Sequence, residues 1–298
     1  MNKFIYLTII YMLSFHASVA AAWDVLVVQS LRAKPYAEAL RGFRTSCNAT
    51  VHELVISELN GEDVAAEVRR RKPDLILAMG MDALLKVRKI KEKPVVYLMV
   101  LNPDSALHGE NNITGISMVI PPEKQLVHFR KILPRLKRVG LIYNPKNTGH
   151  LVARAVKAAD RAGIELKTLK VNKQGDFPEL LNSMKGNIDA YWMLPDSMII
   201  TPQSIEYLIL FSMRNGTPVF TFSDKYLRMG AFLSLEINTF TMGKQAGEMA
   251  RKILSGVSVA EIPGLDASDA ILTVNQKVAQ KLGISFSGEA ITRTGASR

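Results

Sequence analysis

Short, unbroken apolar runs punctuate the chain. Val25-Leu26-Val27-Val28, Leu75-Ile76-Leu77-Ala78-Met79 and Val95-Val96-Tyr97-Leu98-Met99-Val100 carry no polar alternation. Strands buried on both faces read this way, as in a parallel sheet covered by helices. Between these runs, residues 35–46, 62–72 and 81–90 are rich in helix formers. Strand and helix in strict alternation predict a doubly wound α/β sheet.

The alternation then starts again. Val139 to Tyr143, Leu166 to Val171, Ala190 to Leu194 and Val219 to Phe222 are strand candidates, with helices over about 148–162, 176–184 and 202–214. Asn147 or Thr148 suits the cap of the first of these helices, and Gly163 suits its left-handed end. A last long helix over about 240–255 sets Met242, Ala246, Met249, Ala250 and Ile253 on one face and stops at Gly256. A strand from Ile271 to Val274 and a helix over 275–282 follow. Two runs of one architecture predict two lobes, each a doubly wound parallel sheet.

Composition narrows the class. With 298 residues, 48% hydrophobic and 22% charged, the chain can form two domains with real cores. It is not a disordered, collagen-like or disulfide-scaffold protein. The only cysteine, Cys47, excludes an internal disulfide and falls at the end of the first helix, where a thiol is usually a small packed group. Five scattered histidines lack zinc spacing, so no metal and no cofactor is expected. The net charge of +11 raises nucleic acid or anionic membrane as a partner. Its clusters, Arg69 to Lys72, Lys86 to Lys93 and Arg135 to Arg138, fall at helix ends or just before strands. Cations there complement the helix dipole, so nucleic acid is disfavoured. At the start, Lys3, the apolar run Phe4 to Phe15 and the small residues Ala17 to Ala22 have the layout of a secretory signal peptide. The expectation is cleavage after Ala20 or Ala22 and a soluble exported protein. No cysteine stands at the cleavage point to take a lipid anchor.

Catalytic signatures are missing: no GxSxG elbow, no Walker loop, no GxGxxG after the first strand and no evident carboxylate pair. An enzyme is therefore not expected. Polar loops do recur at the carboxyl ends of strands: Gln29 to Arg32, Gly80 to Asp82, Asn102 to Asp104, Tyr143 to Asn147, Pro195 to Ser197 and Ser223 to Lys225. Any one of them is ordinary turn and cap chemistry. Six aligned on one edge of two sheets predict a ligand cleft.

Several segments carry a resemblance. Pro73 to Gly80, Asn112 to Ser117, Val139 to Pro145, Gly230 through Met242-Gly243-Lys244-Gln245-Ala246 to Gly256, and Val274-Asn275 with Ala279 to Ile284 follow one another in a recognisable order. The chain resembles the substrate-binding proteins of ABC transporters with a type I periplasmic-binding fold, in the group that contains tryptophan- and tyrosine-binding members. The resemblance implies signal peptide 1–22, lobe one from 23–114 plus 231–256, and lobe two from 115–230 plus 257–298. It implies hinge strands at Asn112–Ser117 and Leu233–Asn238, a periplasmic location, a monomer, and docking on an inner-membrane permease. The ligand is a small molecule, with amino-acid-like compounds among the candidates. Ala33 to Tyr36 stands where the family carries a His-Pro-type loop, and Met81 follows Gly80 where a small hydroxyl residue is common. The fold and transport role are therefore carried over and the ligand is not.

The residues expected to meet the ligand are Ser30, Gly80, Met81 and Asn102 from lobe one, and Asn144, Asn147, Asp196 and Asp224 from lobe two. Asp196, directly after a buried strand, is the expected counter-charge for an ammonium group, and Asp196→Ala is expected to weaken binding by at least about tenfold with the fold intact. The backbone N–H groups of Met81 and Asp82 suit a carboxylate. Tyr36 and Tyr143 are candidates for stacking or for packing, and Trp192 for the core. A periplasmic ligand sensor and a small-molecule enzyme remain as alternative functions.

Overall fold

A computed structural model describes residues 23–59 and 63–286; the expected signal peptide lies outside them. The first sheet contains β1 (Trp23–Gln29), β2 (Ala49–Val55), β3 (Leu75–Met79), β4 (Val95–Val100), β5 (Ile113–Ser117) and, much later in the chain, β11 (Leu265–Asp266). Its order is β11-β5-β4-β3-β1-β2 and every pairing is parallel. The second contains β6 (Arg138–Tyr143), β7 (Glu165–Lys170), β8 (Ala190–Trp192), β9 (Val219–Thr221), β10 (Leu233–Ile237) and β12 (Ala270–Val274), ordered β12-β10-β9-β8-β6-β7. Only β12 there runs antiparallel.

Helices cover both faces, which is why the central strands are apolar throughout. On the first sheet, α1 (Lys34–Ser46) lies on one face and α2 (Val64–Arg71) and α3 (Met81–Val87) on the other. On the second, α4 (Pro122–Ile132) and α5 (Pro145–Ala162) oppose α6 (Phe177–Ser183), α7 (Pro202–Asn215) and α8 (Asp224–Met229). The long α9 (Thr239–Leu254) returns to pack on α1, and α10 (Gln276–Lys281) closes the second lobe. Glycines permit the α1–α9 approach: a Cβ on Gly42 would run into the Phe240 carbonyl, and one on Gly243 into the Ala39 carbonyl.

The lobe boundaries differ from those expected. Gly115 pairs with Tyr97 in the first sheet, whereas Leu233 pairs with Phe220 and Val274 in the second. Residues 115–117 and 257–266 therefore go with lobe one, and 231–237 with lobe two. The expected hinge strands Asn112–Ser117 and Leu233–Asn238 are ordinary sheet members up to their last residues. The chain crosses between lobes just after β5, β10 and β11, in the short segments 118–121, 238 and 267–269.

Two local expectations also shift. α5 begins at Pro145 rather than 148, because Asn144 accepts from the Lys146 N–H (3.0 Å) and proline is preset for the first helical position. Gly163 ends it in the left-handed region, φ +62°. β2 has no counterpart in the apolar pattern, because it is an edge strand with mostly part-exposed residues.

Candidate functional site

A cavity of about 530 Å³ lies between the lobes at the carboxyl ends of the strands, within the range that encloses small ligands. Lobe one contributes Pro35 and Tyr36 at the start of α1, Met99 and Leu101 around the end of β4, and Thr239 at the start of α9. Lobe two contributes Trp192 to Pro195, Phe222, Ser223 and the end of β10 from Leu235 to Ile237. The crossing residues Met118, Val119 and Ile120 line it too. The walls are overwhelmingly apolar and aromatic.

Backbone strain marks one wall. Met99 holds φ +59°, a conformation L-residues avoid at about 1–2 kcal/mol, where the β4–β5 register shifts between Tyr97 and Val100. This bulge sits where Met99 lines the cavity.

The few polar groups are mostly engaged. Gln125 donates to the Ile120 carbonyl (2.8 Å) and accepts from the Trp192 indole N–H (3.1 Å). The Tyr36 hydroxyl pairs with Ser30; burial first, then nearby Asp82, raise its pKa against that hydrogen bond. Thr239 is one exception and Glu236 is the charged one. It is half-buried, and its carboxylate has no hydrogen bond or ion pair among the described residues. Among the described residues no Lys, Arg or His lines the cavity.

The expected contact residues stand elsewhere. Ser30 accepts from the Ala83 N–H (3.0 Å), fixing the start of α3. Gly80 adopts φ +93°, and a Cβ there would overlap the Tyr36 hydroxyl and lie 2.6 Å from Ser30 Oγ. Met81 packs on the lobe-one core. Asp196 is fully buried and accepts four hydrogen bonds: from the Asn144 N–H (2.7 Å), the Thr148 hydroxyl (2.6 Å), the Asn147 amide (2.8 Å) and the Met198 N–H (3.1 Å). No lone pair is left facing the cavity for an ammonium group, so the expected counter-charge is instead an internal staple. Asn144 caps α5 and donates to the Val171 carbonyl (2.9 Å), Asn147 is spent on Asp196 and Ser197, and Asp224 pairs with Arg228 (2.9 Å) on the turn of α8. Tyr36 lines the cavity, and Tyr143 and Trp192 are both buried in the lobe-two core, as expected for Trp192, which also borders the cavity. Sequence reasoning passed over Met99, Leu101, Met118 and Glu236. A signal for some of them existed: they lie within a few residues of the strand ends, adjoining polar loops that were singled out.

Asn102 alone of the eight lines a second, smaller interlobe cavity of about 310 Å³. There Arg154 of α5 meets Asp266 of β11 at 2.6 Å, and Ser117 donates to the other carboxylate oxygen at 2.5 Å. Burial, then the charges of Asp104 and Asp266, push the Tyr97 hydroxyl up to about 12. His150 is pulled below its ordinary value, first by burial. Outside both cavities, Cys47 is buried at the end of α1 and burial raises its thiol, the opposite of a reactive cysteine.

Residues 48–297 match the family model for the ABC transporter substrate binding protein. The chain belongs to that family. A tyrosine-binding protein of Clostridioides difficile is 23% identical over 230 residues, covering 74% of this chain and 66% of that protein, so the match spans just under two thirds of the relative. Among solved structures, the open, ligand-free form of a substrate-binding protein with adhesive properties from Clostridium difficile superposes with a TM-score of 0.73 at 21% identity, covering 91% of this chain and 99% of that one. An ABC domain from Streptococcus pneumonia in complex with L-Trp gives a TM-score of 0.60 at 19% identity, with the same coverage. A leucine-binding protein from Thermotoga maritima gives 0.52 at 12% identity, covering 89% of this chain and 97% of that one. The fold is that of the type I periplasmic-binding proteins, two mostly parallel α/β lobes. The family is one of substrate-binding proteins. Among the described residues no helix is long and apolar enough to cross a membrane.

Proposed function

We propose that this protein is the exported solute-binding component of an ABC importer. It captures a small molecule with an apolar body between its lobes and delivers it to a membrane permease. The observation that carries this reading is the apolar cavity of about 530 Å³ walled by both lobes and by the segments that join them. Ligand filling that space touches both lobes at once, so it favours whichever interlobe arrangement gives it more contact. The apolar residues before each polar loop supply affinity, while Ser30, Gly80, Asn144 and Asp196 hold those loops in place. The family's tyrosine- and tryptophan-binding members support a ligand of that size. Export through residues 1–22 and a periplasmic location complete the reading.

The test is a thermal-shift and calorimetric screen of the purified protein against amino acids, amines, nucleosides and sugars. A ligand at about 100 times its dissociation constant adds about 2.7 kcal/mol. Binding must be lost when Met118, an exposed residue on the cavity rim, is replaced by Trp. Binding that survives this replacement places the site elsewhere and defeats the proposal. Uptake of the identified compound by cells, abolished on deletion of this chain, tests the transport step.

A further inference from the structure

The charge pattern of the main cavity selects among ligands. Among the described residues its lining includes one acidic residue, Glu236, whose carboxylate has no partner, and no Lys, Arg or His. An anionic group on the ligand would need either a basic side chain or a free helix N-terminus, and the helix starts around the cavity offer neither. α4 begins Pro121-Pro122-Glu123, two residues without an N–H followed by an acid. α8 is capped by its own Ser223 and carries Asp224 in its first turn. At α9 the Asn238 side chain already accepts from the Thr241 N–H. α1 opens with Lys34-Pro35, and its Tyr36 and Ala37 N–H groups donate back to the Ala33 carbonyl. The tighter anion-suited turn at α3 is filled by Ser30, and that helix does not line the cavity.

A cation meets the reverse. Tyr36 and Phe222, both part-exposed, are aromatic residues lining the same space, and aromatic rings attract ammonium groups. Glu236 is the penultimate residue of β10, beside the crossing to α9, and a half-desolvated carboxylate without a partner is costly until one arrives. We propose that the cavity selects an organic cation, an amine on a flat apolar body, with Glu236 as its counter-ion, in preference to a zwitterion or an anion. This rests on the cavity being the ligand site.

Three probes with one ring system isolate the charge: tryptamine, tryptophan and indole-3-propionate, titrated calorimetrically into the whole protein. Tryptamine is expected to bind tightest, and Glu236→Gln to weaken it by at least about tenfold, the effect of deleting a charge-assisted hydrogen bond. The same variant should narrow the gap between tryptamine and indole-3-propionate. Tryptophan or indole-3-propionate binding more tightly than tryptamine overturns the proposal, as does tryptamine affinity unchanged in Glu236→Gln, or no tryptamine binding at millimolar concentration. Met118→Trp separates the two levels. Tryptamine binding lost in Met118→Trp but untouched by Glu236→Gln overturns this proposal and leaves the cavity as the ligand site. Binding untouched by either variant removes the cavity as the site.

Discussion

Replacing Asp196 by Ala is expected to destabilise the second lobe rather than to blunt ligand binding. The carboxylate is fully buried, and its Oδ2 serves the Asn144 N–H and the Thr148 hydroxyl, both enclosed. Each donor left without a partner costs about 1–3 kcal/mol. The Asn147 amide and the Met198 N–H, which use Oδ1, lie nearer the surface and can turn to water. Desolvation of the carboxylate is relieved in the variant and offsets part of the loss. The net expectation is about 3 kcal/mol for Asp196→Ala. Asp196→Asn keeps the volume and one acceptor for the two enclosed donors, but turns an NH₂ toward two N–H groups, and should cost about 1–2 kcal/mol. The two tryptophans, Trp23 in β1 and Trp192 in β8, sit one in each lobe. Urea unfolding followed by fluorescence in a Trp23→Phe background therefore reports the second lobe. An Ala variant within about 0.5 kcal/mol of its parent would refute the staple and return Asp196 to the list of ligand contacts.

Other perturbations test other levels of the structure. Gly243→Ala should cost more than about 2 kcal/mol, because its Cβ meets backbone of α1 rather than a movable side chain, and proteolysis should then cleave α9 first. Gly80→Ala should cost about 1–3 kcal/mol through its φ of +93° and displace the Tyr36 ring, read as loss of ligand affinity beyond the loss of stability. Arg154→Ala breaks the interlobe pair with Asp266, but both side chains reach solvent, so less than about 1 kcal/mol is expected by urea denaturation. His150 has a folded pKa below its unfolded value of 6.5, so the unfolded chain binds the extra proton more readily. Its contribution is present above about pH 6.5 and lost as pH falls through the folded value. An NMR titration midpoint for His150 at or above 6.5 would contradict this.

Much of the fold was legible because burial on both faces leaves a signature that needs no third dimension. β1, β3, β4 and β6 are each a continuous apolar run, and the helices between them announce themselves by composition and by stops such as Gly163. β2 escaped because an edge strand has one wet side and mixes His52 and Glu53 into its pattern. α4 escaped because a helix opening on two prolines reads as a loop. The candidate cavity was legible in location, at the strand ends, but not in its lining. Asn, Asp and Ser at strand ends are used for two purposes, contacting ligand and tying loops, and residue type does not separate them. Asp196 and Asn144 proved to tie loops.

The order of elements, the doubly wound character of each half and the position of a cleft at the strand ends were fixed by local chemistry: periodicity, caps and chain-breaking residues act over a few positions. Lobe membership was decided only in three dimensions. β5, β10 and β11 each take the sheet whose edge they can pair with, across separations in sequence that no local pattern records. The same holds for the character of the cavity. Met99, Leu101, Phe222 and Glu236 become its walls because two sheets bring their carboxyl ends face to face, and the absence of a cation there is a property of the meeting surfaces, not of any segment.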